Sequence, residues 1–232
     1  MELDGPIIEG RLVGRDNRFR ATVVIEGQST KAYVPNSGRL GELLAPDRRI
    51  FLMYRPASHR TTHYDLVMVQ HNDVLVSIDS RLPGRLFHES VTANVLNDFV
   101  GYDKIKPEVA FGKSRLDFLL EKGNARRYVE VKSVTLVESG CALFPDAPTT
   151  RGTRHLHELI SAKKQGHQAD VVFVIQRNDA NYFSPHPTAD SAFNQALRAA
   201  VNAGVGVHAY TCTITLKTAM LAQAIPTIIT TV

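Results

Sequence analysis

Arg115-Leu-Asp-Phe-Leu-Leu-Glu121 and Arg127-Tyr-Val-Glu-Val-Lys-Ser133 are two segments of strand length, and a short turn around Gly123-Asn124 separates them. Two such runs around a glycine-containing turn predict a β-hairpin. A turn centred on Gly123-Asn124 places Asp117 directly opposite Glu130, and residues paired in this way share one face of a sheet. The hairpin is therefore expected to bring two carboxylates together.

The carboxylate pair predicts a metal-dependent phosphodiesterase site. Neighbouring strands lie ~4.8 Å apart and Mg²⁺ takes oxygen ligands at ~2.1 Å, so Asp117 and Glu130 can reach one cation. The carbonyl of Val131 is a further candidate ligand. Lys132 projects from the face of Glu130 and can orient water or stabilise the charge that develops during hydrolysis. We therefore assign Asp117, Glu130 and Lys132 as candidate catalytic residues, with Mg²⁺ or Mn²⁺ as cofactor.

The alternative is an exposed hairpin face whose charged side chains are solvated or paired across the strands. The residues around the charges argue against it because they are apolar, and buried charges need a partner or a metal. These neighbours are Leu116, Phe118, Leu119, Leu120, Val129 and Val131.

Further elements predict an α/β domain built on a mixed sheet flanked by helices. Apolar spacing of three and four residues indicates helices, and short apolar runs indicate buried strands. The predicted helices are 86–99, 151–165 and 190–203, and the predicted strands besides the hairpin are 107–111, 169–176 and 205–215.

The N-terminal part predicts a small β-barrel, because five short strand candidates fall within about 80 residues. They are 7–13, 19–25, 31–34, 50–54 and 64–70, followed by strand-like 73–78, and 40–44 is a candidate helical turn. On these residues alone an OB-like and an SH3-like barrel both fit. A turn-rich stretch at 79–85 marks the boundary, which gives a barrel over 1–80 and a second domain over 81–232.

The charge distribution does not by itself mark the barrel as a nucleic-acid module. Residues 1–80 carry ten Lys or Arg and ten Asp or Glu, so the net charge of +4 arises in residues 81–232. A local cluster nevertheless makes Arg11, Arg15, Arg18 and Arg20 candidate nucleic-acid contacts. Phe19 and Tyr33 could add stacking surfaces, as in single-strand-binding barrels. A solvated basic rim above core aromatic residues explains the same pattern.

Other charged residues extend the candidate site. Arg151, Arg154 and His155, at the predicted helix 151–165, are candidate phosphate contacts, although Arg154 could instead pair with Glu158 one turn away. Glu89 on the first helix is a candidate third carboxylate. A zinc site is not expected, because His155 and His157 are not spaced for one helical face and no paired cysteines accompany them.

Several motifs resemble the sugar fermentation stimulation protein A family of bacteria and archaea. They are Tyr128–Leu136, Phe144–Ala147, Thr150–Gly152, His155–Leu159 and Pro35–Leu40. The second domain is also similar to the PD-(D/E)xK nuclease superfamily, with Leu116 where a proline often stands. The resemblance implies an OB-type barrel followed by a nuclease-like domain, DNA binding without marked sequence preference, and a role in regulating sugar, particularly maltose, utilisation.

Composition fits a cytoplasmic protein. Two cysteines, Cys141 and Cys212, suggest no disulfide framework, and the first residues lack a signal-peptide pattern. The apolar stretch 219–232 contains Pro226 and is too short to span a bilayer, so no membrane association is expected. Edge strands could pair between subunits, which leaves a homo-oligomer open.

Two functions remain open from the sequence. In the first, the chain is a Mg²⁺- or Mn²⁺-dependent nuclease that binds DNA, RNA or branched DNA. In the second, the same fold is a catalytically silent DNA-binding regulator of sugar metabolism. The complete Asp117, Glu130 and Lys132 set favours the first, and the role implied by the family resemblance favours the second.

Overall fold

The computed structural model describes residues 1–58 and 60–229. Its N-terminal part is a closed barrel. Its strands are β1 (Ile7–Asn17), β2 (Arg20–Ile25), β3 (Gln28–Tyr33), β4 (Arg49–Tyr54), β5 (Tyr64–His71) and β6 (Val74–Ser77). The sheet order is β3-β2-β1-β4-β5-β6, and a parallel pairing of β3 with β5 closes the first five strands into a ring. This five-stranded closure confirms the predicted OB-like barrel.

The barrel forms because alternate residues of its strands are apolar and point inwards. Leu12, Val23, Ile50 and Leu66 are among the fully buried residues of this core. The predicted helical turn at 40–44 is present, since Leu44 N donates to Leu40 O at 2.8 Å.

The second part of the chain is a mixed six-stranded sheet between helices. Its elements are α1 (Leu82–Thr92), β7 (Lys104–Phe111), β8 (Ser114–Lys122), β9 (Ala125–Val134), β10 (Val137–Glu138), β11 (Cys141–Phe144), α2 (Thr150–Lys164), β12 (Gln168–Ile175), β13 (Tyr182–Pro185), α3 (Ser191–Asn202), β14 (Gly206–Ile214) and β15 (Ala219–Ala224). The order is β15-β14-β12-β9-β8-β7, with β9, β12 and β14 parallel and the other pairs antiparallel. Strands β10, β11 and β13 form a separate small sheet. The predicted α/β architecture is confirmed.

Helices cover both faces of the large sheet. Leu156 of α2 and Phe193 of α3 belong to the core on one face, and Phe87 of α1 belongs to the core on the other face. Thr149 caps α2 by accepting from Gly152 N at 3.1 Å, and Asp190 caps α3 by accepting from Phe193 N at 2.9 Å. Both caps satisfy N–H groups that a helix leaves unpaired at its start.

The first helix differs from the predicted span 86–99. It begins at Leu82 and ends at Thr92, where Asn94 adopts the left-handed conformation (φ 54°) that stops a helix. Val95, counted as an apolar helix position, is 65% exposed. Phe99 is buried, but it lies on a 3₁₀ turn at Asn97–Phe99. The predicted end was therefore wrong, because apolar residues at four-residue spacing continue beyond the last residue of the helix.

Strands β10, β11, β13 and β15 were not predicted. The first three have two to four residues, too few for an apolar alternation to be distinguished. Strand β15 occupies the start of the apolar stretch 219–232, of which residues 230–232 lie outside the described range. Among the described residues, none of the helices combines the length and the apolar character needed to cross a bilayer.

Candidate active site in the cleft between barrel and sheet

The hairpin of β8 and β9 has the predicted register. Its pairs run from Lys122 with Ala125 at the turn to Phe118 with Val129. The ladder stops one pair before Asp117 and Glu130. Asp117 instead uses its side chain, whose Oδ2 accepts from Val131 N at 2.8 Å. Asp117 is thereby held against β9 beside Glu130.

Glu130 is 2% exposed, and its two carboxylate oxygens have different surroundings. Oε1 accepts from Lys132 Nζ at 2.6 Å and also contacts Nδ1 of His155, a buried residue of α2. Oε2 is buried and has no hydrogen-bond partner among the described residues. An unpaired buried carboxylate oxygen is costly, so this oxygen is suited to a cation.

Burial and neighbouring charges set the charge of the two carboxylates. Burial, followed by the negative charge of Glu130, raises the pKa of Asp117 to about 6, against the opposing effects of the Val131 N–H and the Lys132 charge. Burial also works to raise the pKa of Glu130, but the charge of Lys132 and the contact with His155 hold that pKa below its usual value. Glu130 therefore stays ionised to lower pH than Asp117, whose carboxyl group changes its protonation state at about pH 6.

The site opens into a cleft between the two domains. A cavity of about 300 Å³ has Arg18, Asn36 and Ser37 of the barrel on one side and Lys132 and Asp146 of the second domain on the other. A cavity of about 400 Å³ contains Asp117. The two cavities share Ser80, Val131 and Ser133. A substrate in this cleft would contact both domains.

Two family motifs meet across this cleft. Asp146 Oδ2 accepts from Leu40 N at 3.2 Å, which joins the segment 144–147 to the segment 35–40. Gly38 allows this approach, because a Cβ there would lie 2.7 Å from Asp146 Oδ2. Within the barrel, Asn36 holds the segment 35–40 by donating to Ile78 O at 2.9 Å. Asp146 therefore holds the barrel against the second domain.

The residues present fit one divalent cation with few protein ligands. Asp117 and Oε2 of Glu130 offer carboxylate oxygens, and the Val131 carbonyl remains a candidate. Among the described residues, no group of three or more His, Cys, Asp or Glu side chains is arranged to hold a metal ion. Mg²⁺ characteristically binds through one or two carboxylates and keeps waters or substrate phosphates as its other ligands.

Glu108 is a further carboxylate near the site that was not predicted from the sequence, although it is exposed and pairs with Arg115 at 2.8 Å. It lies on β7 between the pairs Pro107 with Phe118 and Val109 with Leu116, which puts it beside Asp117. It lines the same cavity as Asp117 and has a φ of 52°. A charged residue within the predicted strand 107–111, opposite Asp117, was the signal that could have identified it.

Glu89 lies in a neighbouring cavity and not with Asp117. Its carboxylate pairs with the amino group of Met1 at 3.0 Å and is half exposed. The proposed third carboxylate is therefore engaged elsewhere.

The four arginines of the barrel have different environments. Arg20 pairs with Asp16 at 3.1 Å, Arg11 donates to the Asp47 carbonyl at 3.3 Å, and Arg18 lines the cleft. Arg15 is turned into the protein, where its guanidinium donates to backbone carbonyls. These acceptors are Asn17, Arg18, Asn36, Gly38 and Arg39. Of the four, the structure brings Arg18 to the cleft and gives Arg15 the role of organising a loop.

The three predicted phosphate contacts at α2 also have different environments. His155 is 1% exposed and contacts Glu130, so it positions a carboxylate. Arg151 Nε lies 3.4 Å from His155 Nε2, and Arg154 Nε donates to Ser114 Oγ at 3.2 Å. Glu158 accepts from Lys113 N at 2.9 Å. Both arginines are exposed at the start of the helix.

Models of two protein-family domains match the chain in sequence. The model described as "SfsA N-terminal OB domain" matches residues 13–78, and "Sugar fermentation stimulation protein RE domain" matches residues 81–218. Relatives called "Sugar fermentation stimulation protein homolog" are similar over nearly their whole length. The relative from Caldanaerobacter subterraneus is 44% identical over 91% of this chain and 93% of its own, and that from Desulforamulus reducens is 41% identical over 95% and 92%.

A solved structure shares the whole fold. It is described as "The structure of Pyrococcus Furiosus SfsA in complex with Ca2+" and superposes with a TM-score of 0.90 at 30% sequence identity. The match covers 99% of this chain and 98% of that protein.

Proposed function

The chain belongs to the sugar fermentation stimulation protein family, and from that premise we propose that it is a nucleic-acid-binding protein whose interdomain cleft hydrolyses phosphodiesters with Mg²⁺ or Mn²⁺. The family name describes an effect on sugar use and no chemistry. The chemistry is inferred from the residues of the cleft.

The observation that carries the proposal is the buried, unpaired Oε2 of Glu130 next to Asp117. Glu130 helps to raise the pKa of Asp117, and two neighbouring buried carboxylates are unfavourable when both are ionised unless a cation compensates them. A divalent cation would remove both costs at once. The related protein from Pyrococcus furiosus was solved with Ca²⁺, an oxygen-seeking cation of the same class.

The side chains divide the chemistry between them. A bound Mg²⁺ or Mn²⁺ would neutralise phosphate charge and lower the pKa of a water molecule. Asp117 and Glu130 would hold it, and His155 would keep Glu130 in position by occupying the oxygen that faces α2. Lys132 would stabilise the extra negative charge on the phosphoryl oxygens. Hydrolysis joins the water oxygen to phosphorus and breaks the bond from phosphorus to the departing sugar oxygen.

The cleft also fits a nucleic acid. Arg18 enters it from the barrel, and Arg81 and Arg85 line the cavity of Asp117 from α1 and the residue before it. Positive side chains around a phosphodiesterase site hold the backbone without reading its sequence.

Cleavage assays on single-stranded, duplex and branched DNA and on RNA, with MnCl₂ or MgCl₂, test the proposal. We expect cleavage that EDTA stops and that Asp117→Ala and Lys132→Ala abolish, while both variants still bind. Lys106→Ala is the matched control, since Lys106 is an exposed lysine of β7 that pairs with Glu121 at 2.6 Å. If the wild type cuts none of these substrates with either cation, the proposed nuclease activity is refuted.

A second function, a silent DNA-binding regulator, is favoured by one observation. Lys132 and His155 both contact Oε1 of Glu130, which compensates much of the buried charge without a cation. In that case DNA would bind with equal affinity in EDTA and in Mn²⁺, and no substrate would be cut.

A further inference from the structure

We propose that Phe19 and Tyr33 form a stacking platform for unpaired nucleobases, so that the protein selects nucleic acid with a single-stranded segment. The inference rests on the proposed function, because it names the class of nucleic acid that the cleft receives. It adds a ligand surface on the barrel outside the carboxylate site.

The two rings are arranged for stacking. Phe19 lies in the turn between β1 and β2 and is 45% exposed, and Tyr33 ends β3. Their centroids are 6.3 Å apart and their planes differ by 23°. A single exposed apolar side chain is ordinary on a protein surface. A nearly parallel aromatic pair beside the hollow that Tyr33 lines offers a flat surface on which a base can continue the stack.

Two arginines lie beside the platform and lead towards the carboxylate site, each paired with a carboxylate of Asp65 or Asp79. The guanidinium of Arg60 lies over the Tyr33 ring, 5.8 Å from its centroid. Tyr33, Arg60 and Arg81 line one open hollow, and Arg81 also lines the cavity that contains Asp117. Asp65 is buried and contacts both arginines, which fixes them in place. A strand whose bases stack at Phe19 could therefore pass its backbone along Arg81 to the cleft.

The position on the barrel supports this ligand. OB barrels bind oligonucleotides with the loops that follow their first and fourth strands. Phe19 lies in the first of these loops, and Arg60 lies in the second, between β4 and β5. Bases in a duplex are already stacked and paired inside the helix, so their faces cannot reach this platform. Stacking on an exposed base face therefore selects an unpaired strand.

The chain contains no tryptophan, so Phe19→Trp places one fluorescent ring on the platform. The probe is an oligothymidylate of about 12 nucleotides, within the ~4–16 nucleotides that an OB fold covers, and the comparison is a duplex of equal length. Both are measured in EDTA, which prevents cleavage. We expect the single strand to quench the Phe19→Trp fluorescence and the duplex to leave it unchanged. Met220→Trp, on edge strand β15 and 52% exposed, should not be quenched by either.

Phe19→Ala gives an independent readout. Base stacking on one aromatic side chain is worth ~1–3 kcal/mol, or about 5- to 150-fold in affinity. We expect that loss for the single strand by fluorescence anisotropy, with duplex affinity within about twofold of wild type. A folded Phe19→Trp variant that single strand fails to quench, or an equal loss of both ligands in Phe19→Ala, would overturn the platform. Either outcome would refute the platform without bearing on cation-dependent cleavage. If the wild type neither binds nor cuts nucleic acid, the proposed function itself is refuted.

Discussion

The carboxylate of Asp117 accepts a hydrogen bond from the backbone N–H of Val131, with 2.8 Å between Oδ2 and N. This bond links β8 to β9 where their backbone ladder has ended at Phe118 and Val129. It satisfies an N–H that the ladder leaves without a strand partner, and it fixes Asp117 beside Glu130. The side chain of Asp117 thus both stabilises the hairpin and is a candidate cation ligand.

The first prediction concerns the pH dependence of stability. The pKa of Asp117 is raised from 3.8 to about 6 in the folded protein, so the ionised form destabilises the fold. Its stabilising contribution is complete below pH 3.8 and is lost as pH rises through about 6. Asn at this position stays neutral and can still accept from Val131 N. In EDTA, urea unfolding should show Asp117→Asn to be more stable than wild type at pH 8 by up to ~3 kcal/mol.

That difference between the two proteins should shrink below pH 6 and vanish near pH 4. A difference that stays constant from pH 4 to pH 8 would show that Asp117 titrates normally, and would contradict the burial of its charge.

The second prediction is that a divalent cation stabilises the fold. Ca²⁺ or Mn²⁺ at ~100 times its dissociation constant should raise the free energy of unfolding by ~2.7 kcal/mol. Thermal melts with and without cation measure this gain, which Asp117→Asn should lose. Glu89→Gln is the matched control and should keep the gain, because Glu89 pairs with Met1. Loss of the gain in Glu89→Gln would instead make Glu89 a ligand.

The third prediction assigns His155 a positioning role. Its ring contacts Oε1 of Glu130 and leaves Oε2 without a hydrogen-bond partner among the described residues. Partners that orient a metal ligand typically change metal affinity by ~10- to 100-fold. Calorimetric titration with Mn²⁺ should show that loss in His155→Ala and partial recovery in His155→Gln. His157→Ala, an exposed histidine of the same helix, should bind as wild type, and equal behaviour of His155→Ala and His157→Ala would exclude the role.

The fourth prediction separates two neighbouring arginines. Arg15 donates to five backbone carbonyls, so Arg15→Ala should lower the free energy of unfolding by several kcal/mol, at ~0.5–1.5 kcal/mol for each bond. Arg18 lines the cleft, so Arg18→Ala should leave the melting temperature unchanged and weaken DNA binding.

Salt titration provides the measurement for Arg18. The affinity of the wild type for DNA should fall steeply with added NaCl, and the slope of log affinity against log salt should decrease by about one in Arg18→Ala. An affinity that does not respond to salt would exclude a phosphate-binding surface.

Much of the candidate site could be predicted because it is local. The turn at Gly123-Asn124 sets the register of the hairpin, and alternation then puts Glu130 and Lys132 on one face. Helix starts were also predicted closely, since helices were expected from 151 and 190 and α2 and α3 begin at Thr150 and Ser191. The end of α1 was missed because its stop signal is the left-handed conformation of Asn94, which competes with an apolar spacing that continues to Phe99.

The barrel, the mixed sheet and the pairing that brings Asp117 near Glu130 could be predicted from the amino-acid order, because periodicity, turns and strand alternation act between residues close along the chain. The contact of His155 with Glu130, the bonds of Arg15 to carbonyls and the pairing of Glu89 with Met1 became apparent only in the folded protein. These contacts join residues brought together by packing of helices, loops and termini. Charge and hydrogen-bonding capacity can be read from the sequence, but the partner of each group depends on which surfaces the core brings into contact.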